Sequence, residues 1–132
     1  NCPVKMNSRS IDEFLIIFLI CSVANGISKF RKIGELRNKE TDRLKFANNF
    51  LKKIGIKTKM TKSSFKIYGK PNLKLNKTYE IKNFDKDHRA CMMSFIAALT
   101  LGGKWIIHDT DSIKTSFPNF VKILKDLGAK IN

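Results

Sequence analysis

Two stretches of this chain are apolar at almost every position rather than along one stripe. The first, FLIIFLICSVA (14–24), follows Ser10-Ile11-Asp12-Glu13, which has capping-box spacing, and precedes Gly26 as a stop. Together these predict a helix from about 11 to 25, buried on most faces. The second, DHRACMMSFIAALTL, predicts a similar helix from about Asp87 to Leu101. Elsewhere the pattern is periodic. Leu44, Ala47, Leu51 and Ile54 form one stripe of a helix that starts near Lys39 and ends before Gly55. ISKFRKI, IKTKM, SFKIYG, KTYEI and KWIIH read as strands, with Pro71-Asn72 marking a turn. Pro118 sits in the first turn of a last helix carrying Phe120, Val121, Leu124 and Leu127, stopped by Gly128.

The predicted order is helix, strand, helix, three short strands, helix, strand, helix, short strand, a mixed α/β (α+β) chain. Both all-apolar helices start with an Asp and precede a short strand and an amphipathic helix. That predicts about one and a half copies of a repeated unit. No linker or low-complexity segment divides the chain, and 132 residues is the length of one domain. The apolar fraction of 42%, with ten Phe, excludes a disordered chain. An apolar run of eleven residues behind Asp12-Glu13 is too short to span a bilayer and reads as a buried helix, with no membrane or signal segment. Cys2, Cys21 and Cys91 are widely spaced and odd in number, which points to reduced thiols in a cytoplasmic protein. His88 and His108 are too few for a metal site.

The net charge of +15 raises the question of nucleic acid. The lysines are spread over the whole chain, however, and no Arg-rich arm, basic-aromatic RNA motif or zinc-finger spacing accompanies them. The charge therefore reads as solubility and attraction for small anions, with a basic nucleic-acid-binding domain as the rival reading. Only five of the 26 basic residues are Arg, and two of these, Arg37 and Arg43, fall within LRNKETDRL (36–44). Guanidinium suits planar, bidentate capture of phosphate or carboxylate, where ammonium is a point charge.

The unusual polar residues fall at helix starts: Asp12 at the first, Lys39 to Arg43 at the second, and Asp87-His88-Arg89 at the third. Helix N-termini favour anions. If the three starts converge, they form an anion cradle containing Arg43 and Arg89, with Asp12 and Glu40 beside it. Each residue also has a plainer reading. By position alone Asp12 and Asp87 are caps, and Lys39, Glu40 and Arg43 are a solvated helix face whose ion pairs add little.

In order, DEF before a buried helix, ELRNKETDRL, DHRACMMSF and SIKTSFPNFVKILKDLGAKI resemble the C-terminal lobe of the EPSP synthase (3-phosphoshikimate 1-carboxyvinyltransferase) family. The likeness covers essentially the whole chain, and the first two arginine-bearing motifs are the specific ones. It implies lobes built from repeated βαβαββ units with buried helices inside sheets. It also implies transfer of an enolpyruvyl group from phosphoenolpyruvate to shikimate 3-phosphate, without metal or organic cofactor.

By motif position, the resemblance makes Asp12 the contact and candidate base for a shikimate hydroxyl. Lys39 binds shikimate 3-phosphate, and Glu40 carries the proton at the vinyl carbon. Arg43 and Arg89 hold the phosphoenolpyruvate anions, and His88 orients or assists. Leu15 stands where the family often has Pro, and Glu35 where other members have Asn. Lys114 is one position upstream of the slot a phosphoenolpyruvate-binding Lys takes in some members. Nothing corresponds to the N-terminal lobe, so the chain is expected to be an inactive fragment whose partner is that lobe. A sister transferase acting on a UDP-sugar is the alternative within the chemistry, and the KETDR and DHR pair argues against it.

Overall fold

The near-absence of polar residues after Glu13 produces helix α1, Phe14–Val23. The computed structural model describes residues 8–82 and 84–132 and divides into two compact units, 1–75 and 76–132. Cys2 lies outside the described residues.

The first unit contains α1, strand β1 (Ile27–Arg31), helix α2 (Arg43–Lys53), and strands β2 (Thr58–Met60) and β3 (Ser64–Tyr68). The strands form an antiparallel sheet in the order β1-β3-β2. Alternation puts Phe30, Phe65, Ile67 and Thr58 on the buried face. Phe18 of α1 meets Phe30 and Phe65 edge-on, with ring centroids 4.9 and 5.0 Å apart. This is the geometry that aromatic quadrupoles favour. The stripe read for α2 is all buried: Leu44, Ala47, Leu51 and Ile54. Thr58 Oγ1 donates to Asn48 Oδ1 at 2.8 Å, so this buried polar pair between α2 and β2 is satisfied.

The second unit contains β4 (Leu75–Ile81, its first residue closing the first unit), α3 (His88–Leu101), β5 (Gly102–Ile107), α4 (Asp111–Ser116) and α5 (Phe120–Asp126). β4 pairs with β5, and α3 packs on β5 and α4. Phe95 of α3 meets Phe120 of α5 edge-on at 5.9 Å.

Several expectations are corrected. Residues Ser8–Glu13 wind as a 3-10 helix, and α1 has Glu13 at its N-cap with no side-chain cap bond, so no capping box forms at Ser10. The carboxylate of Asp12 bonds an arginine 31 residues away. α2 begins at Arg43, four residues later than read, because the Asp42 side chain accepts from Lys45 N–H and sets the N-cap there. Gly34–Asn38 forms a separate 3-10 helix.

Neither apolar helix is enclosed on all sides. Ile20 is 60% exposed and Leu99 is exposed as well. The final short strand does not form, and Leu127 is 80% exposed rather than part of the α5 stripe. α4 was not expected. Cys91 is buried as read, whereas Cys21 is only half-buried.

Candidate active site

The N-cap at Asp42 makes Arg43 the first residue of α2 and turns its side chain inward, where it is 1% exposed. A buried guanidinium is costly unless its N–H groups are met by well-placed acceptors. Here Nη1 donates to Asp12 Oδ1 at 2.8 Å and Nη2 to Glu40 Oε2 at 2.7 Å. The two carboxylates are 46% and 52% exposed, so each bonds the buried cation while staying about half open to solvent. Lys39 Nζ lies 3.6 Å from Asp12 Oδ1 and 3.5 Å from Glu35 Oε1. Asp12, Lys39, Glu40 and Arg43 are therefore one cluster, although Asp12 and Arg43 are 31 residues apart. Arg43 is buried and so is not part of a solvated helix face, whereas Glu40 is 52% exposed.

Arg37 secures the segment that presents Glu40. Its Nε donates to Lys62 O at 2.9 Å, its Nη2 to Thr61 O at 3.0 Å, and its Nη1 to Asp42 Oδ2 at 2.6 Å. One fork thus ties the stretch before α2 to the turn between β2 and β3. Sequence reasoning missed this role. The available signal was an arginine kept five residues ahead of a capping Asp in a lysine-rich chain.

In the second unit, Asp87 is fully buried and accepts from Arg89 N–H at 3.0 Å and Ala90 N–H at 3.2 Å. Asp87 is a cap, as position alone indicated. His88 and Arg89 stand half-buried in the first turn of α3. Lys45 N–H at α2 and the Arg89 and Ala90 N–H groups at α3 are taken by their own caps. Those backbone donors are therefore already taken. Lys114 pairs with Asp111 at 2.6 Å on the surface; the pair lowers the Asp111 carboxyl and raises the Lys114 ammonium from their ordinary values.

Among the described residues no group of His, Cys, Asp and Glu is placed to hold a metal ion, and no helix is long and apolar enough to cross a membrane. Burial, with the charge of Asp109 adding to it, pushes the Cys91 thiol up to about 12, which leaves it protonated and inert.

The architecture is that of the enolpyruvyl transferases. An EPSP synthase structure from Acinetobacter baumannii is 32% identical, with TM-score 0.84, covering 93% of this chain and 28% of that one. The enolpyruvyl transferase NikO from Streptomyces tendae, 21% identical with TM-score 0.66, shares the fold. The chain belongs to the EPSP synthase (3-phosphoshikimate 1-carboxyvinyltransferase) family, whose model matches residues 2–124. The 3-phosphoshikimate 1-carboxyvinyltransferase of Ruthia magnifica is 35% identical over 98% of this chain. That of Campylobacter jejuni subsp. doylei is 40% identical over 92%. The chain spans 29% and 27% of the length of these two relatives.

Proposed function

We propose that this chain forms part of the active site of an enzyme that transfers the enolpyruvyl group of phosphoenolpyruvate to shikimate 3-phosphate, releasing inorganic phosphate in aromatic amino-acid biosynthesis. The chain is assigned to the C-terminal lobe, where it acts together with the remaining length of the enzyme, in the cytoplasm. The observation that carries this reading is the buried Arg43 fork holding Asp12 and Glu40 at 2.8 and 2.7 Å, with Lys39 alongside.

The reaction calls for a proton to be taken from the hydroxyl and for another to be given to carbon and later recovered, and two half-exposed carboxylates are assigned to these transfers. Asp12 takes the proton from the attacking shikimate hydroxyl as its oxygen bonds to C2 of phosphoenolpyruvate. Glu40 delivers a proton to the methylene carbon, giving a tetrahedral intermediate. In the second half the C2–phosphate oxygen bond breaks, phosphate leaves with the proton that Asp12 took from the hydroxyl, and Glu40 takes a proton back from the methyl group to restore the double bond. Lys39 is assigned to the shikimate phosphate, Arg43 and Arg89 to phosphoenolpyruvate, and His88 to orientation. Cations placed before the reaction stabilise the charge of the intermediate without having to reorganise. Asp12 and Glu40 are assigned all of these proton transfers, and no cofactor is assigned.

The test is Glu40→Gln in the complete enzyme. Turnover should fall on the order of a hundredfold or more, while substrate dissociation constants do not weaken. Unchanged turnover with a raised Michaelis constant would return Glu40 to a surface role.

A further inference from the structure

Arg43 has no open face for an anion. Its side chain is 1% exposed, and both terminal nitrogens already hold carboxylates. Among the described residues the immediate cluster joins two cations, Lys39 and Arg43, and three carboxylates, Asp12, Glu35 and Glu40. Those five side chains carry no surplus positive charge with which to attract a further anion. An incoming carboxylate gains the fork only by replacing one already there.

We infer that Arg43 is a masked anion site, with Glu40 acting as an internal stand-in that the substrate carboxylate displaces. This rests on the assignment of Arg43 to phosphoenolpyruvate. The two carboxylates are not equally held. Asp12 touches two cations, Arg43 at 2.8 Å and Lys39 at 3.6 Å. Among the described residues Glu40 pairs with Arg43 alone; it is the more exposed of the two and lies ahead of α2 in an irregular stretch. Exchange at Nη2 therefore costs one charge-assisted bond and regains an equivalent one, whereas exchange at Nη1 would also strip Asp12 from its place beside Lys39. The exchange keeps the buried guanidinium paired throughout. It also links binding to catalysis, since the arrival of the substrate carboxylate releases the side chain assigned to carry the proton.

The experiment is a phosphoenolpyruvate titration of the complete enzyme with saturating shikimate 3-phosphate, comparing wild type, Glu40→Gln and Glu40→Ala. Masking predicts that the phosphoenolpyruvate dissociation constant falls at least about threefold in both variants, because a neutral stand-in yields the fork more easily. An unchanged or raised constant overturns the masking. Turnover reports separately on Glu40 as proton carrier, so tighter binding with full turnover would sink that role and leave the masking intact. A crystal structure of the wild-type complex gives an answer free of any folding defect. Nη2 should sit on the substrate carboxylate with Glu40 turned away, and Glu40 still bonded to Nη2 in the complex overturns the inference.

Discussion

Arg37 and Arg43 use the same planar fork for different ends, one to tie backbone carbonyls together and one to hold two side-chain carboxylates. Arg43→Lys should weaken phosphoenolpyruvate binding at least tenfold and also lower stability, since a point charge cannot bridge Asp12 and Glu40. Arg89→Lys should weaken binding with little change in stability, because its side chain is only half-buried. Substrate titration and denaturant melts of the complete enzyme check both. Wild-type affinity in the two variants would remove the anion assignment.

For Cys91 the expected effect is on pH dependence. Its ordinary value of 9.0 in the unfolded chain and about 12 in the fold mean that the buried neutral thiol contributes stability fully below pH 9. That contribution is lost as pH rises from about 9 toward about 12. Native alkylation at pH 8 should leave Cys91 unmodified.

The pairing of Arg43 with Glu40 was legible because the two stand three residues apart in the motif. Arg37 was not, because its acceptors are carbonyls 24 and 25 residues away, and no sequence pattern marks a carbonyl that needs a donor. Asp12 was ambiguous for a related reason. A cap and an ion-pair partner look alike until the distant residue is placed.

At the scale of elements, the junction between β3 and α1 sets the strictest local condition. A Cβ on Gly69 would lie 1.9 Å from Ala24 O, while Gly69 N–H donates to Gly26 O at 2.9 Å and Lys70 N–H to Ser22 O at 2.8 Å. Only a hydrogen fits against that carbonyl. Gly69→Ala should therefore destabilise the chain by roughly 1–3 kcal/mol, seen as a lower denaturant midpoint. An unchanged midpoint would mean that the junction yields freely.

The sheet carries the opposite kind of opportunity. Lys29 and Lys59 both face Lys66 across the strands, a row of like charges. Lys66→Thr should raise stability by about 0.5 kcal/mol, more at low salt than at high salt. A loss of stability at low salt would show that the row is not repulsive.

The apolar stripes and turn residues made the helices and strands legible, including the α2 core face. The start of α2 was misplaced because both Lys39 and Asp42 lie in a run of polar residues, and only the bond from Lys45 N–H picks out the cap. α4 escaped notice because it buries a single residue, Ile113, and one buried position has no period.

At the scale of the molecule, each compact unit presents an apolar helix, then a short strand, then further helix: α1, β1 and α2 in the first, α3, β5 and α4 in the second. This order is what a repeated unit would produce, and the repeat remains our proposal. Family membership was legible through ELRNKETDRL and DHRACMMSF, whose polar residues lie in the segments just before α2 or in the first turns of α2 and α3. The chain amounts to 28% of the length of the Acinetobacter EPSP synthase it matches. A reaction between two phosphorylated anions needs charged groups on all sides and little water, so the cluster on this chain is proposed to be one wall of the site.

The most direct test is inorganic phosphate release, measured for this chain alone and for the chain mixed with a separately produced segment supplying the rest of the enzyme. The account predicts no release from the chain alone, and release that depends on both phosphoenolpyruvate and shikimate 3-phosphate once the two are mixed. Release by the chain alone that depends on both substrates would contradict it, as would a mixture of two folded segments that stays inactive.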